Sequence, residues 1–368
     1  MDAHYPTVGV EEEFLLTHPL TGRPVYKSFE VKERARVAGV DLQFELNKCQ
    51  VEATTRIHTH IPDLLEELRE TRRITAKCAR DSNIRLLAAG LPPTGSYRFP
   101  IVETLRYTKI IEMLGPLAYD QGNCGCHIHV AIPDRETAVQ VGNYLRPWLP
   151  TLLALTANSA LYRGVDTGFA SWRNILLRRW PVCGPPPFFD SVADYDTLVG
   201  TLISSGTILD AGMVMWDVRP SAKYPTVEVR VSDVPATAEE TALLAALVRA
   251  LVISALLSMD EGIPPPVISH TLLSAAYWKA ARFGLEGDGL DPSTGLAVPT
   301  NVLLHRLIEY LGPILEETGD RAFVSDTVAA VRRHGNGAAR QAAALRAGSD
   351  IAQIVAGLAD TTVAGTAA

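Results

Sequence analysis

Four short segments of the chain alternate, residue by residue, between apolar and polar side chains, and nothing else in the sequence constrains the fold as much. They are TVGVEEEFLL (7–16), CQVEATT (49–55), CGCHIHV (124–130) and TVEVRV (226–231). Successive side chains on a strand point to opposite faces, so each segment reads as a strand with one apolar and one polar face. In the first, Glu11 and Glu13 fall on one face, while Glu12 shares the other with Val8, Val10, Phe14 and Leu16. In the second, Gln50, Glu52 and Thr54 oppose Val51 and Ala53. In the third, His127 and His129 oppose Cys124, Cys126, Ile128 and Val130. In the fourth, Glu228 and Arg230 oppose Val227, Val229 and Val231. A merely solvated sheet face mixes in Lys and Ser, whereas these polar faces are dominated by Glu, His and Arg and hold no Lys. Glu45 has the wrong parity to join Glu52 unless Asn47-Lys48 makes a turn or bulge.

Two carboxylates on one strand face repel each other unless a cation neutralises them. Carboxylate and imidazole donors around a wet cavity suit magnesium or manganese, which share phosphate oxygens with a nucleotide. Zinc fits less well. The thiols of CGC are one residue apart, where closed zinc sites space them by two to four, and they lie on the face opposite the histidines. Loop segments add cations: Arg173 in DTGFASWRN, and Arg219 and Lys223 in WDVRPSAKYPT. Guanidinium groups grip carboxylates and phosphates bidentately, so an acidic cluster faced by Arg and Lys is a layout for phosphoryl transfer. Arg178 and Arg179 read as surface residues.

The rest of the chain is read more coarsely. Residues 62–82, 101–114 and 135–161 are expected to be helical, the last broken near Pro147 and Pro150, and 164–187 to be irregular. After Pro235 the character becomes helical, beginning at the TAEE start of Thr237–Glu240. The expected organisation is one catalytic domain over 1–368, with mixed strands and helices over 1–235, mainly helix over 236–358 and a frayed tail over 359–368. Short strands without regular strand–helix alternation predict an α+β fold with a largely antiparallel sheet. The formal charge of −7 argues against nucleic acid or an anionic membrane as the main partner. The apolar run Leu243–Leu257 contains Arg249 and reads as a buried helix. An odd count of five cysteines and no signal-peptide pattern point to a reducing, cytoplasmic setting. No P-loop or Rossmann glycine motif is present, so a nucleotide would be held by other means.

Together with LRPWLPTLLALTANSALYRGVDTGFASWR and WDVRPSAKYPTVEVRVSDV, the four strand motifs resemble the type 2 glutamate–cysteine ligase family, the YbdK-like carboxylate–amine ligases. The motifs occur in the family's order from about residue 7 to 290, and WKAARFGLEG from Trp278 is similar to its C-terminal helix motif. The resemblance implies the fold of the glutamine synthetase catalytic domain, a curved antiparallel sheet forming a funnel with helices on its outer face. It implies ATP-dependent amide formation through an acyl phosphate, with L-glutamate and L-cysteine as small-molecule substrates and homodimer assembly allowed. It implies metal ligands at Glu11, Glu13, Glu52, Glu228 and His127 for Mg2+ or Mn2+. It implies nucleotide contacts at His127, His129, Lys223 and Arg230, and catalytic arginines at Arg173, Arg219 and Arg230. GLPPTGSYRFP (90–100) departs from the family's Gly-x-His-Pro stretch in a region tied to the acceptor pocket. A ligase for another acid or amine, and a phosphotransferase of the same fold, therefore stand as alternatives. A degenerate binding protein is disfavoured by the joint presence of Glu11, Glu13, Glu52, Glu228 and Arg230. A zinc hydrolase is disfavoured by the lack of a His-Glu-x-x-His helix.

Overall fold

The computed structural model describes residues 5–95, 98–120 and 122–366. Its main sheet has seven strands: β1 (Val8–Thr17), β2 (Leu42–Phe44), β3 (Gln50–Thr54), β4 (Arg85–Leu87), β5 (Gly125–Ala131), β6 (Val218–Pro220) and β7 (Thr226–Asp233). The order is β6-β7-β5-β1-β3-β2, every pair antiparallel. β1 is the longest strand and the hub. It pairs with β3 along one edge; on the other it meets β5 through residues 8–12 and β4 through residues 15–17. The expected antiparallel α+β architecture is present.

The apolar face is covered by helices. Val8, Val10, Cys126, Ile128, Val130, Val227 and Val229 pack in one core with α2 (Ile61–Arg80), α4 (Arg135–Leu145), α5 (Leu149–Thr156) and α7 (Ala238–Asp260). α7 is long and apolar enough to cross a membrane by length and composition, yet its residues are mostly buried inside the protein. Thr237 caps it by accepting a hydrogen bond from the Glu240 amide. α1 (Ser28–Val37) packs beside α2. α8 (His270–Phe283), α9 (Thr300–Glu317), α10 (Arg321–His334) and α11 (Gly337–Arg346) add further layers.

Boundaries differ from expectation for local reasons, and the helical stretch expected over 135–161 ends at Thr156, beyond which Asn158 donates to the Ala88 and Val234 carbonyls. The helix expected over 101–114 is α3, Leu105–Leu114, because Thr104 caps it and Ile101 bridges to Asn47. The irregular stretch 164–187 contains a six-residue helix, α6 (Trp172–Leu177), started by Ser171, whose hydroxyl accepts from the Asn174 amide. The tail expected from 359 is helical as far as Thr362, the end of α12 (Ile351–Thr362). Thr362 is fully buried: its hydroxyl accepts from the Ala88 amide at 2.8 Å and its carbonyl accepts from Arg72 at 3.2 Å. The 90–100 stretch that departs from the family pattern includes Ser96 and Tyr97, and these, like Ala367 and Ala368, lie outside the described residues.

Candidate active site

Register brings the predicted polar residues together across the front of the sheet. Glu11 lies opposite His127, Glu13 opposite Glu52, His129 opposite Glu228, and Glu228 opposite Arg219. Glu11 touches both imidazoles, with Oε2 3.0 Å from His127 Nδ1 and Oε1 3.3 Å from His129 Nε2. Glu13 accepts a hydrogen bond from the Gly125 amide at 2.7 Å and sits 3.8 Å from His127 Nε2. Glu228 is gripped by two guanidinium groups. Arg219 Nε donates to it at 3.0 Å, and Arg230 Nη1 donates to its other oxygen. Arg230 also lies 3.3 Å from His127 Nδ1.

Glu45 joins the group. β2 and β3 form a hairpin whose turn at Lys48-Cys49 resets the parity, so Glu45 faces Glu13 and Glu52. Three overlapping sets of donors result: Glu11, His129 and Glu228; Glu11, Glu52 and His127; Glu13, Glu45 and Glu52. Within each set the ligand atoms lie within 4.8 Å of one another. His129 Nε2 is buried without a hydrogen bond. Its other nitrogen is held by the Thr226 hydroxyl at 2.9 Å, which aims the free one at Glu11. Hard oxygen donors in excess, with one imidazole nitrogen that completes no hydrogen bond among the described residues, fit a divalent cation of the magnesium or manganese kind.

Electrostatics point the same way. Burial and the charge of Glu13 push the Glu45 carboxyl up to about 8. Burial, then the charges of Glu45, Glu11 and Glu13, raise Glu52 well above the usual carboxylate range. Glu11 and Glu228 go the other way. Burial alone would raise them, but His127 and His129 hold Glu11 low, and Arg230 and Arg219 hold Glu228 low. The Glu13–Glu45–Glu52 end of the cluster thus carries more negative charge than it can hold as free carboxylates.

The arginines divide. Arg219 and Arg230 are tied to Glu228, whereas Arg173 enters from α6. It lies across Gly125 so closely that a Cβ added there would fall 2.3 Å from its Nη2. Nη1 donates to the Ser232 carbonyl at 3.0 Å and sits 3.6 Å from Asp233. Lys223 stands apart: it is exposed in the β6–β7 turn, and no ion pair of its ammonium occurs among the described residues. Arg179, expected at the surface, pairs with Asp120 at 2.7 Å, and Arg178 stacks over Tyr277.

Sequence reasoning missed Asp233. Strict alternation puts it on the apolar face with Val227, Val229 and Val231. A bulge between Val229 and Ser232 inserts one residue against β5, so Asp233 pairs with Gly125 and turns to the front. There it accepts from the Asn158 amide and the Ser159 and Ser171 hydroxyls, and so anchors Arg173. A late-strand Asp following Arg230 and Ser232 was the available signal, but parity hid it.

Cys126 packs on the back of the sheet as expected. Cys124 is also fully buried, and the Gln50 amide approaches its sulfur at 3.5 Å. Burial raises both thiols well above their usual range.

Comparison with known proteins gives the family and the fold. The family described as Glutamate-cysteine ligase family 2 matches residues 7–357. The chain belongs to this family. A protein of Nocardia farcinica named putative glutamate–cysteine ligase 2-1 is 55% identical over 367 residues, covering 100% of this chain and 95% of its own length. A putative glutamate–cysteine ligase 2-2 of Mycolicibacterium vanbaalenii is 51% identical over 358 residues, covering 97% and 98%. Membership places the chain among carboxylate–amine ligases of the glutamate–cysteine ligase type. Among solved structures, glutamate–cysteine ligase of Francisella tularensis in complex with AMP superposes with a TM-score of 0.71 at 12% identity, over 98% of this chain and 89% of that one. A bifunctional glutathione synthetase of Pasteurella multocida gives 0.70 at 13% identity, over 99% of this chain and 53% of that longer one. At such identities the likeness is one of fold.

Proposed function

We propose that this family member joins L-glutamate to L-cysteine at the expense of ATP, forming a γ-glutamyl amide, ADP and phosphate through an acyl phosphate. One observation carries the reading: three donor sets for a divalent cation run along one sheet face, with three arginines arranged around them. Glu11, Glu13, Glu45, Glu52, Glu228, His127 and His129 would hold Mg2+ or Mn2+, which supplies charge neutralisation for phosphate oxygens when bound. The reported complex of the Francisella ligase with AMP supports nucleotide use by this fold. The span acts as one catalytic domain on small molecules.

The chain's own part is positioning and electrostatics. Arg173 is buried and rigidly tied, so its free guanidinium edge is preorganised for charge that builds on a transferring phosphoryl group. Its Nε is buried without a hydrogen-bond partner, which leaves a donor for a ligand. Arg230 and Arg219 hold Glu228 and limit its side-chain freedom. Among the residues of this site no Ser-His or Cys-His pair offers a nucleophile, and the buried thiols stay protonated, so activation falls on the substrate. Glutamate labelled with 18O in its γ-carboxylate, turned over with ATP and cysteine, should deliver label to inorganic phosphate. Release of AMP and pyrophosphate, or unlabelled phosphate during confirmed turnover, would overturn the reading.

A further inference from the structure

A cavity of about 260 Å³ opens against the front of the sheet, beside the donor cluster. Glu13, His127, Arg173 and Arg230 form one part of its lining. Trp180, Met213, Met215 and Leu177 contribute apolar wall. Asp217 also lines it, and no part of the reading above uses this residue.

Asp217 is held rigidly by its backbone. Its amide donates to the Gly184 carbonyl at 2.9 Å, and its carbonyl accepts from the Arg230 amide at 2.8 Å, at the β7 bulge. The side chain is 5% exposed, yet Asp217 enters no ion pair among the described residues. Oδ2 is buried without a hydrogen-bond partner. The buried Tyr277 hydroxyl is its polar neighbour, near enough for the two groups to shift each other's acidity, but among the described residues neither Oδ2 nor that hydroxyl completes a hydrogen bond of good geometry. Arg178 and Arg173 are the nearest cations by their electrostatic effect, but neither comes within ion-pair distance. Arg178 is turned over the Tyr277 ring, and Arg173 is turned to Ser232 and Asp233.

A buried carboxylate with no countercharge and an oxygen that completes no hydrogen bond is costly, and in native proteins it calls for a reason. A cation arriving with the substrate is one. The alternative, a merely structural Asp, predicts a full set of internal donors like the three of Asp233, and Asp217 has at most the Tyr277 hydroxyl.

Resting on the ligase reading, we propose that Asp217 receives the ammonium group of an amino-acid substrate bound in this cavity. The apolar walls take the rest of the molecule, and the arginine-lined part takes its anionic end. Two substrates carry an ammonium, the phosphorylated acid and the attacking amino acid. The cavity serves one of them, and kinetics tell which.

The test has three parts. In steady-state ADP formation, Asp217→Asn should raise KM for either glutamate or cysteine roughly ten- to a hundredfold, the worth of one charged hydrogen bond, with kcat changed much less. The substrate whose KM moves is the one bound. In calorimetry, the wild-type protein should bind one amino acid more tightly than its des-amino analogue (glutarate for glutamate, 3-mercaptopropionate for cysteine), and Asp217→Asn should erase that difference. The ligand-free variant should melt no lower than wild type, because an unpaired buried charge is gone. Equal binding of amino acid and des-amino analogue by wild type overturns the proposal, as does an Asp217→Asn protein that is folded with both KM values unchanged. Absence of ADP formation with discrimination intact sinks the ligase reading and leaves the ammonium site standing. ADP formation without discrimination does the reverse.

Discussion

Glu11, Glu12 and Glu13 are consecutive on β1, and the sheet sends them to two unlike environments. On the back, Glu12 is 1% exposed and meets the fully buried Arg72 in a bidentate pair at 2.6 and 3.1 Å. The Thr241 hydroxyl donates to Glu12 at 2.6 Å. Arg72 spends its remaining donors on the carbonyls of Pro235, Ala236 and Thr362. Every charge there has its countercharge inside the fold. On the front, Glu11 and Glu13 share space with Glu45 and Glu52; His127 touches both Glu11 and Glu13 but burial lowers its basicity, and Arg230 is engaged with Glu228. The same residue type is structural where its partner is part of the chain; on the front, under the proposed function, the partner comes from solution.

The sharpest way to break this comparison is to substitute the back-face pair. Glu12→Gln or Arg72→Met leaves one buried charge uncompensated and should cost about 3–5 kcal/mol of unfolding free energy in denaturant titrations. The double variant should cost less than the sum. Additive costs would mean that the pair is not a unit.

On the front the expectation inverts. Glu52→Gln or Glu228→Gln should lower turnover by roughly 100-fold or more, comparable to the loss of one preorganised electrostatic contact. For Glu52→Gln, metal-free stability should hold or rise, because one of several crowded carboxylates is removed. Undiminished turnover in a folded Glu52→Gln or Glu228→Gln protein would remove that residue from the metal site.

A third substitution probes the back face where it is apolar. Cys124→Ser with Cys126→Ser should cost about 1–3 kcal/mol per unpaired hydroxyl, with turnover largely kept. Stoichiometric zinc in the wild type that this variant loses would instead make the thiols ligands.

The mildest effect concerns protons. The Glu45 carboxyl, raised to about 8, is mostly protonated at neutral pH in the metal-free protein. A cation that binds there must displace the proton, so affinity should rise by up to about tenfold per pH unit below 8 and level off above it. Mn2+ titrations at pH 6.5, 7.5 and 8.5 would read the slope, and a flat profile would exclude Glu45 as a ligand.

Much of the front face was legible from alternation alone, because a two-residue period is a strong local signal and β1, β3, β5 and β7 obey it over the stretches that matter. What alternation cannot see is where the period slips. The turn at Lys48-Cys49 brought Glu45 in, and the β7 bulge brought Asp233 in, each by one residue of parity. Arg173 was found by its motif, but its helix was hidden because Gly and Pro dominate the flanking sequence and only Ser171 marks the start. The Glu12–Arg72 pair was out of reach for a different reason: nothing within either segment names a partner 60 positions away.

Distance along the chain also governs how this molecule can be made. Glu12 and Thr241 are 229 positions apart, and Glu11 and His127 are 116 apart. Pairing over such spans pays its loop-closure entropy before any contact returns it, so folding should be slow for the size of the chain. A nascent polypeptide that has not yet emerged past Thr241 lacks that residue's hydrogen bond to Glu12 and the α7 helix that covers part of the back of β1. β1 is then among the strands whose full set of contacts closes late. Until then, its apolar face stays without part of its cover and open to misassembly.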